Sequence, residues 1–243
     1  HLGTLTTEIR DSNRGGPDRA AEYSPPWLHD FDVCFSTEAK VPTWDPMVTP
    51  DERNAADSDY LWGQPGTPYG TAYWNANGEQ ITDNLAGDNS RVIVDRAAPF
   101  LRECVESSQP FLAVIWFHTP HTPVVAGPEH RARYAQYSEE EQHYYGCITA
   151  MDEQVGRINE LLKALGQEEK TVVWFCSDNG PEGSENLVTN GRSRGVTGGL
   201  RGRKRSLFNG GIGVPALVTW PGVVAAGAEF TLSLIHISEP TRP

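Results

Sequence analysis

Two short segments gather the side chains best suited to chemistry. His118-Thr119-Pro120-His121-Thr122-Pro123 follows directly on the apolar run Phe111–Phe117, and Ser177-Asp178-Asn179-Gly180 follows directly on Thr171–Cys176. Asp178 and Asn179 offer adjacent hard oxygen ligands, which suit Ca²⁺ or Mg²⁺ rather than zinc. The tripeptide Asp-Asn-Gly also forms turns whose side chains cap their own backbone, so its place after an apolar strand is what favours a site. His118 and His121, three residues apart and each beside a proline, can serve as metal ligands, proton donors or anion donors.

A third feature is a charge anomaly. The chain has 20 Lys and Arg against 32 Asp and Glu, a net charge of -12. Between Asn186 and Ala228 there is no acidic residue, while Arg192, Arg194, Arg201, Arg203, Lys204 and Arg205 are all cationic. Gly195, Gly198, Gly199 and Gly202 lace the same stretch and leave its backbone free to approach a ligand. A basic, glycine-rich loop on an acidic protein implies an anionic substrate concentrated at one place. The overall acidity and the lack of an aromatic nucleic-acid signature argue against RNA or DNA. A divalent cation, two histidines and a cationic loop around one anion point to metal-assisted hydrolysis of a phosphate or sulfate ester.

The elements that must position these residues are legible from Asp88 onward. Asp88, Asn89 or Ser90 can cap a helix whose apolar positions are Ile93, Ala97, Phe100, Leu101 and Cys104, with a kink or restart predicted at Pro99. Ser138 and Glu141 have the spacing of a capping box. The helix behind them presents Tyr144, Ile148, Met151, Val155, Ile158, Leu162 and Leu165 and ends at Gly166. Phe111–Phe117, Thr171–Cys176 and Pro215–Trp220 read as strands buried on both faces. Helices alternating with such strands predict an α/β layered fold with a mostly parallel central sheet, whose ligands bind beyond the strands' carboxyl ends. Residues 1–87 carry scattered aromatics without a period and read as long loops with short strands.

The 243 residues, with 24 Gly and 18 Pro, suit a loop-rich globular domain. The longest apolar run is too short to span a bilayer. Cys34, Cys104, Cys147 and Cys176 show no metal-binding spacing and are expected to be buried free thiols. The terminal string 232–243 resembles the in-frame translation of a sequencing-library adapter and is set aside from the fold, leaving 1–231 as the natural part.

Phe111–Pro123 (FLAVIWFHTPHTP), Tyr145–Ile158, Trp174–Gly180 and Gly199–Gly222 together resemble, in order and spacing, the sulfatase family of the alkaline-phosphatase-like fold. The resemblance covers nearly all of residues 1–231, which would form a partial sulfatase catalytic domain, incomplete at both ends, with a loop-rich part (1–87) and an α/β part (88–231). It implies hydrolysis of sulfate esters and a Ca²⁺ or Mg²⁺ held by Asp178 and Asn179. It also implies that His121 hydrogen-bonds the sulfate, that Lys204 neutralises a sulfate oxygen, that His118 lines the pocket, and that His1, in an opening His1-Leu2-Gly3 like the end of a family motif, assists the nucleophile. The family's nucleophile is a formylglycine made from Cys or Ser in a C/S-x-P-x-R motif. None of the four cysteines has that context, nor has Ser24. The metal-binding Asp-Asp pair expected before the nucleophile is missing too, so the chain is expected to be inactive by itself; Gly213 stands where many relatives carry Arg, so the substrate contacts of that position are not expected here. Family habit adds a sulfated small molecule or carbohydrate as substrate and a periplasmic or secreted setting. Related possibilities are a phosphodiesterase or phosphonate monoester hydrolase of the same superfamily and a non-catalytic anion- or glycan-binding relative.

Overall fold

The computed structural model describes residues 3–11, 14–50, 64–183 and 192–229. The loop-rich half forms two small antiparallel sheets. A hairpin of β1 (Arg10–Asp11) and β2 (Arg14–Gly15) precedes a three-stranded sheet of β3 (Phe35–Thr37), β4 (Tyr73–Asn75) and β5 (Gln80–Ile81), with β4 in the middle. Phe35 on β3 stacks on Tyr73 of β4 with ring centroids 4.0 Å apart. Tyr73 in turn belongs to a core cluster with Val41 and Val92, so this sheet is sealed against the helix that follows.

That helix, α1 (Asn89–Glu106), starts where the side chain of Asp88 accepts a hydrogen bond from the Arg91 amide. This satisfies one of the donors that every helix N-terminus leaves unpaired. The helix does not restart at Pro99 but runs through it; the proline sits on the exposed side, where water can satisfy the carbonyl it leaves unpaired. The buried face is Val92, Val94, Leu101 and Cys104, so Ile93 lies at its edge rather than at its centre.

After the short α2 (Pro128–Ala132) comes the long α3 (Glu139–Ala164), opened by the complete Ser138–Glu141 capping box. Its end is a Schellman turn: Gly166 at φ +66° donates to the Lys163 carbonyl and Gln167 donates to Leu162. The buried stripe of α3 differs from the predicted one by about one position. His143, Gly146, Cys147, Ala150, Gln154, Leu161 and Leu162 face inward, while Ile148, Met151 and Val155 are half-buried. The small residues allow close approach: a Cβ on Gly146 would meet the Ala126 Cβ at 2.8 Å. Periodicity located the helix, but residue size selected which edge of its apolar face packs tightest.

β6 (Val173–Cys176) and β7 (Ala216–Thr219), separated by the four-residue α4 (Asn209–Ile212), pair antiparallel, with Cys176 opposite Ala216. Every strand ladder among the described residues is antiparallel, so the predicted parallel pairing is not seen there. Phe111–Phe117 makes no ladder at all, and Leu112, Val114 and Trp116 are exposed, as are Val172, Trp174 and Leu217. The prediction of strands buried on both faces fails here because β6 and β7 pack chiefly on each other rather than between helical layers. The antiparallel pairing has a consequence for the site. Residues 177–215 leave and re-enter the sheet at the same end, the end that carries Asp178. No described helix is long and apolar enough to cross a membrane.

Candidate anion and metal site

The histidine turn closes on itself through a hydrogen bond from the His121 amide to the His118 carbonyl at 2.7 Å, and the peptide bonds before Pro120 and Pro123 are cis. The two imidazoles have different tasks. His118 is half-buried, with its ring edge-on to Tyr73 at 6.5 Å. Its Nε2 lies 3.4 Å from Thr37 Oγ1, whose own proton goes to the Ala39 carbonyl at 2.8 Å. The Thr37 oxygen is therefore the acceptor, and His118 carries its proton on Nε2. Burial, with a smaller contribution from His121, pushes the His118 pKa down to about 4, so the ring is neutral at physiological pH.

His121 is exposed enough to meet a ligand. Its Nδ1 donates to the Thr122 carbonyl at 2.7 Å, which turns Nε2 outward. The part of the ring set against the protein is desolvated, and that effect, with the charges of Lys204 and Lys40, holds its pKa below the ordinary imidazole range; the Thr122 bond and Asp178 pull the other way. Lys204 and Asp178, singled out from separate stretches of sequence, thus both act electrostatically on His121.

Asp178 is exposed directly beyond β6. Asn179 donates from Nδ2 to the Gly180 carbonyl at 2.9 Å, which leaves its side-chain oxygen available as an acceptor. Both donors are of the hard oxygen type that Ca²⁺ and Mg²⁺ prefer, and two oxygens are fewer than either ion takes. Among the described residues no three His, Cys, Asp or Glu converge as a metal cluster.

Most cations of the basic loop are engaged within its own architecture, so few of the six are left to face an anion. Buried Arg192 donates to the Val124 carbonyl at 2.9 Å. Buried Arg203 donates to Glu182 and Gly195 carbonyls. Arg194 pairs with Glu140 at 3.7 Å, Arg205 pairs with Glu182, and Arg201 lies over the Phe208 ring. Lys204 is the cation from this stretch that acts on His121; its amide donates to the Pro181 carbonyl and its Nζ lies 3.9 Å from Glu182. Nor do the glycines simply leave backbone open to a ligand. Gly180 donates to the Gly211 carbonyl at 2.8 Å, and a Cβ on Gly180 would fall 1.9 Å from the Gly210 oxygen. Backbone packs on backbone here, which fixes the return of the loop beside Asp178.

His1 lies outside the described residues. Of the four free cysteines, Cys104 and Cys147 are buried as expected, whereas Cys34 is half-buried and Cys176 exposed, because the alternation of β6 turns Cys176 outward. Sequence reasoning missed Thr37 and Lys40, which sit in a stretch with no period and no motif. Their only signal is the short polar run Ser36-Thr37-Glu38-Ala39-Lys40 after Phe35.

Fold and candidate site together describe a mixed α/β protein with two histidines, a lysine and hard oxygen donors gathered near the end of a strand pair. The sulfatase family model matches residues 46–239. The chain is 30% identical over 212 residues to the uncharacterized sulfatase YdeN of Escherichia coli K12, covering 82% of this chain and 33% of that protein. It is 31% identical over 211 residues to N-acetylgalactosamine-6-sulfatase of Rattus norvegicus, covering 83% and 35%. A crystal structure of Ps i-CgsB superposes with a TM-score of 0.64 at 24% identity, over 91% of this chain and 45% of that one; the same protein in complex with k-i-k-neocarrahexaose gives 0.63 at 22% identity, with the same coverage. The chain belongs to the sulfatase family, and its fold is the alkaline-phosphatase-like fold. It spans about a third of the length of these two curated relatives.

Proposed function

We propose that the protein to which this chain corresponds hydrolyses sulfate esters, carbohydrate sulfates foremost, and that this chain binds the sulfate group without turning it over. The observation that carries the reading is that the charges of Lys204 and of Asp178, which lies directly beyond β6, both act on His121. The names of the relatives, one an N-acetylgalactosamine-6-sulfatase and one seen with a carrahexaose, favour a sugar sulfate.

The geometry supports the following roles. Lys204, braced by Pro181 and Glu182, supplies a fixed positive charge for a sulfate oxygen. His121 turns Nε2 toward the ligand because Nδ1 is committed to the Thr122 carbonyl. A bound anion raises the pKa of that ring and makes Nε2 a donor. Neutral His118 lines the pocket from the Thr37 side. Asp178 and Asn179 would contribute two oxygens to a Ca²⁺ or Mg²⁺, which when bound adds Lewis-acid stabilisation of charge on the ester.

The reading of inactivity rests on where the nucleophile spacing falls. The C/S-x-P-x-R spacing occurs in this sequence at Ser238-Glu239-Pro240-Thr241-Arg242, inside the adapter-like terminal string, outside the described residues and after the histidine turn. Titration calorimetry with inorganic sulfate tests the binding: a measurable affinity, weakened at least tenfold by Lys204→Gln and by His121→Ala, is expected. No binding to the folded chain overturns the reading. Hydrolysis of 4-nitrophenyl sulfate by the purified chain overturns the claim of inactivity.

A further inference from the structure

The head of α3 carries an aromatic cleft that the sulfate reading leaves unused. Tyr145, Ile148 and Thr149 stand on one face of α3, the latter two three and four residues beyond the first. Tyr134 and Tyr137 reach them from the turn between α2 and α3. In that turn the Tyr134 amide donates to the Arg131 carbonyl and the Tyr137 amide to the Tyr134 carbonyl, both at 2.9 Å. Gln142 Nε2 ties the turn to the helix by donating to the Tyr137 carbonyl at 2.9 Å.

The ring of Tyr145 lies 5.5 Å from that of Tyr134 at 55° and 5.2 Å from that of Tyr137 at 77°; Tyr134 and Tyr137 are 6.2 Å apart at 49°. No two of these rings are parallel, so they wall a space rather than fill it. The space is a cleft of about 250 Å³ lined by Tyr134, Tyr137, Tyr145, Ile148 and Thr149. The Tyr134 hydroxyl and Thr149 Oγ1 share a hydrogen bond at 2.6 Å, and the Tyr145 hydroxyl donates to Glu141 Oε1 at 3.4 Å. Tyr137 is 45% exposed, so its ring is not used up in packing against its neighbours.

The lining selects one kind of occupant. None of these five side chains is charged, which disfavours an anionic group, and their hydroxyls disfavour a purely apolar chain. A pyranose ring has C–H groups on its faces and hydroxyls around its edge, the same division that a tyrosine presents. Pockets that enclose drug-sized molecules run from about 300 to 1,000 Å³, so this cleft has room for a single ring. It also adjoins the loop that carries Lys204. Next to Tyr145, the Tyr144 hydroxyl faces Gly195, where an added Cβ would fall 2.9 Å from that hydroxyl and 2.6 Å from the Pro181 Cβ. Pro181 is the residue whose carbonyl accepts from the Lys204 amide, and Arg194, beside Gly195, pairs with Glu140 on α3.

We propose that the Tyr134–Tyr137–Tyr145 cleft is a second saccharide site, which holds one unsulfated sugar ring by aromatic stacking and hydroxyl hydrogen bonds. The choice of a sugar as occupant rests on the carbohydrate-sulfate reading above, and the test separates the two. Saturation-transfer difference NMR is run on the folded chain with methyl β-galactopyranoside and then with methyl β-glucopyranoside, neither of which carries a sulfate. Transfer to the ring C–H protons of at least one glycoside is expected. Tyr137→Ala should reduce it about fivefold, whereas Tyr137→Phe, which keeps the aromatic face, should retain more than about half; circular dichroism confirms that each variant is folded. Calorimetry with inorganic sulfate should give the same affinity for Tyr137→Ala as for the unmodified chain, and Lys204→Gln should leave the glycoside signal unchanged. Transfer to neither glycoside, or transfer that survives Tyr137→Ala, overturns the proposal. Transfer to phenol but to neither glycoside assigns the cleft to an aryl group and overturns it as well. Absence of sulfate binding with glycoside transfer intact overturns the sulfate reading alone.

Discussion

Replacing His118 with Gln should remove a specific part of the acid sensitivity of the fold. Burial holds the His118 pKa at about 4 in the folded protein, against about 6.5 for an unfolded histidine. Below pH 6.5 the unfolded chain therefore takes up a proton that the folded chain refuses until about pH 4. Since the unfolded state binds more protons across that window, stability falls as the pH falls through it and levels off below pH 4. A depression of about 2.5 units at about 1.36 kcal/mol each gives an upper figure of about 3 kcal/mol, of which about 2 kcal/mol is lost between pH 7 and pH 4.5. The ring is half-buried, so the observed value should fall at or below these figures. Urea unfolding followed by tryptophan fluorescence at several pH values gives stability curves for the two proteins. Their difference cancels the carboxylates common to both, including Asp95 and Glu182, whose pKa values are lowered by their hydrogen-bonded and charged neighbours. The difference curve should slope between pH 6.5 and 4.5 and be flat above pH 7. Parallel curves for the two proteins would refute the argument that His118 is held neutral by its surroundings.

Three other perturbations have defined outcomes. Tyr73→Phe removes the hydroxyl that accepts from the fully buried Asn89 Nδ2 at 2.6 Å, and thermal or urea unfolding should show a loss of about 1–3 kcal/mol for that stranded donor. Gly180→Ala forces a Cβ against the Gly210 oxygen; unfolding should report a loss of about 1–3 kcal/mol, and calorimetry a weaker sulfate affinity because Lys204 is displaced. Asp178→Asn removes the carboxylate proposed as a metal ligand, so the increase in melting temperature on adding Ca²⁺ should disappear while the metal-free melting temperature stays within about 2 °C, since Asp178 is exposed.

The parts of the fold legible in the sequence were those fixed within a few residues of chain. The Asp88 cap, the Ser138–Glu141 box and the Gly166 turn are each specified by side-chain chemistry at short range, and each forms as the pattern implies. Strand pairing is a non-local property. Nothing in Thr171–Cys176 or Pro215–Trp220 encodes the sense in which they meet, and the apolar run Phe111–Phe117 carries no mark of whether a neighbour pairs with it. The site shows the same division. His118, His121 and Asp178 could be found because apolar runs lead directly into them. Counting charge between Arg192 and Arg205 located a basic loop, but the count could not show that buried backbone carbonyls consume Arg192 and Arg203. Thr37 reaches His118 only because Thr43 pegs that stretch of chain to Pro123 and Val125, some 80 residues away in sequence.

The most direct test of the central claim is a crystal structure of this chain grown with Ca²⁺ and soaked with selenate, an isostere of sulfate whose selenium is located by anomalous scattering. Selenium within hydrogen-bonding range of His121 Nε2 and Lys204 Nζ, next to Asp178, is the result the account predicts. A selenate bound elsewhere, with these three side chains left in water, would contradict it.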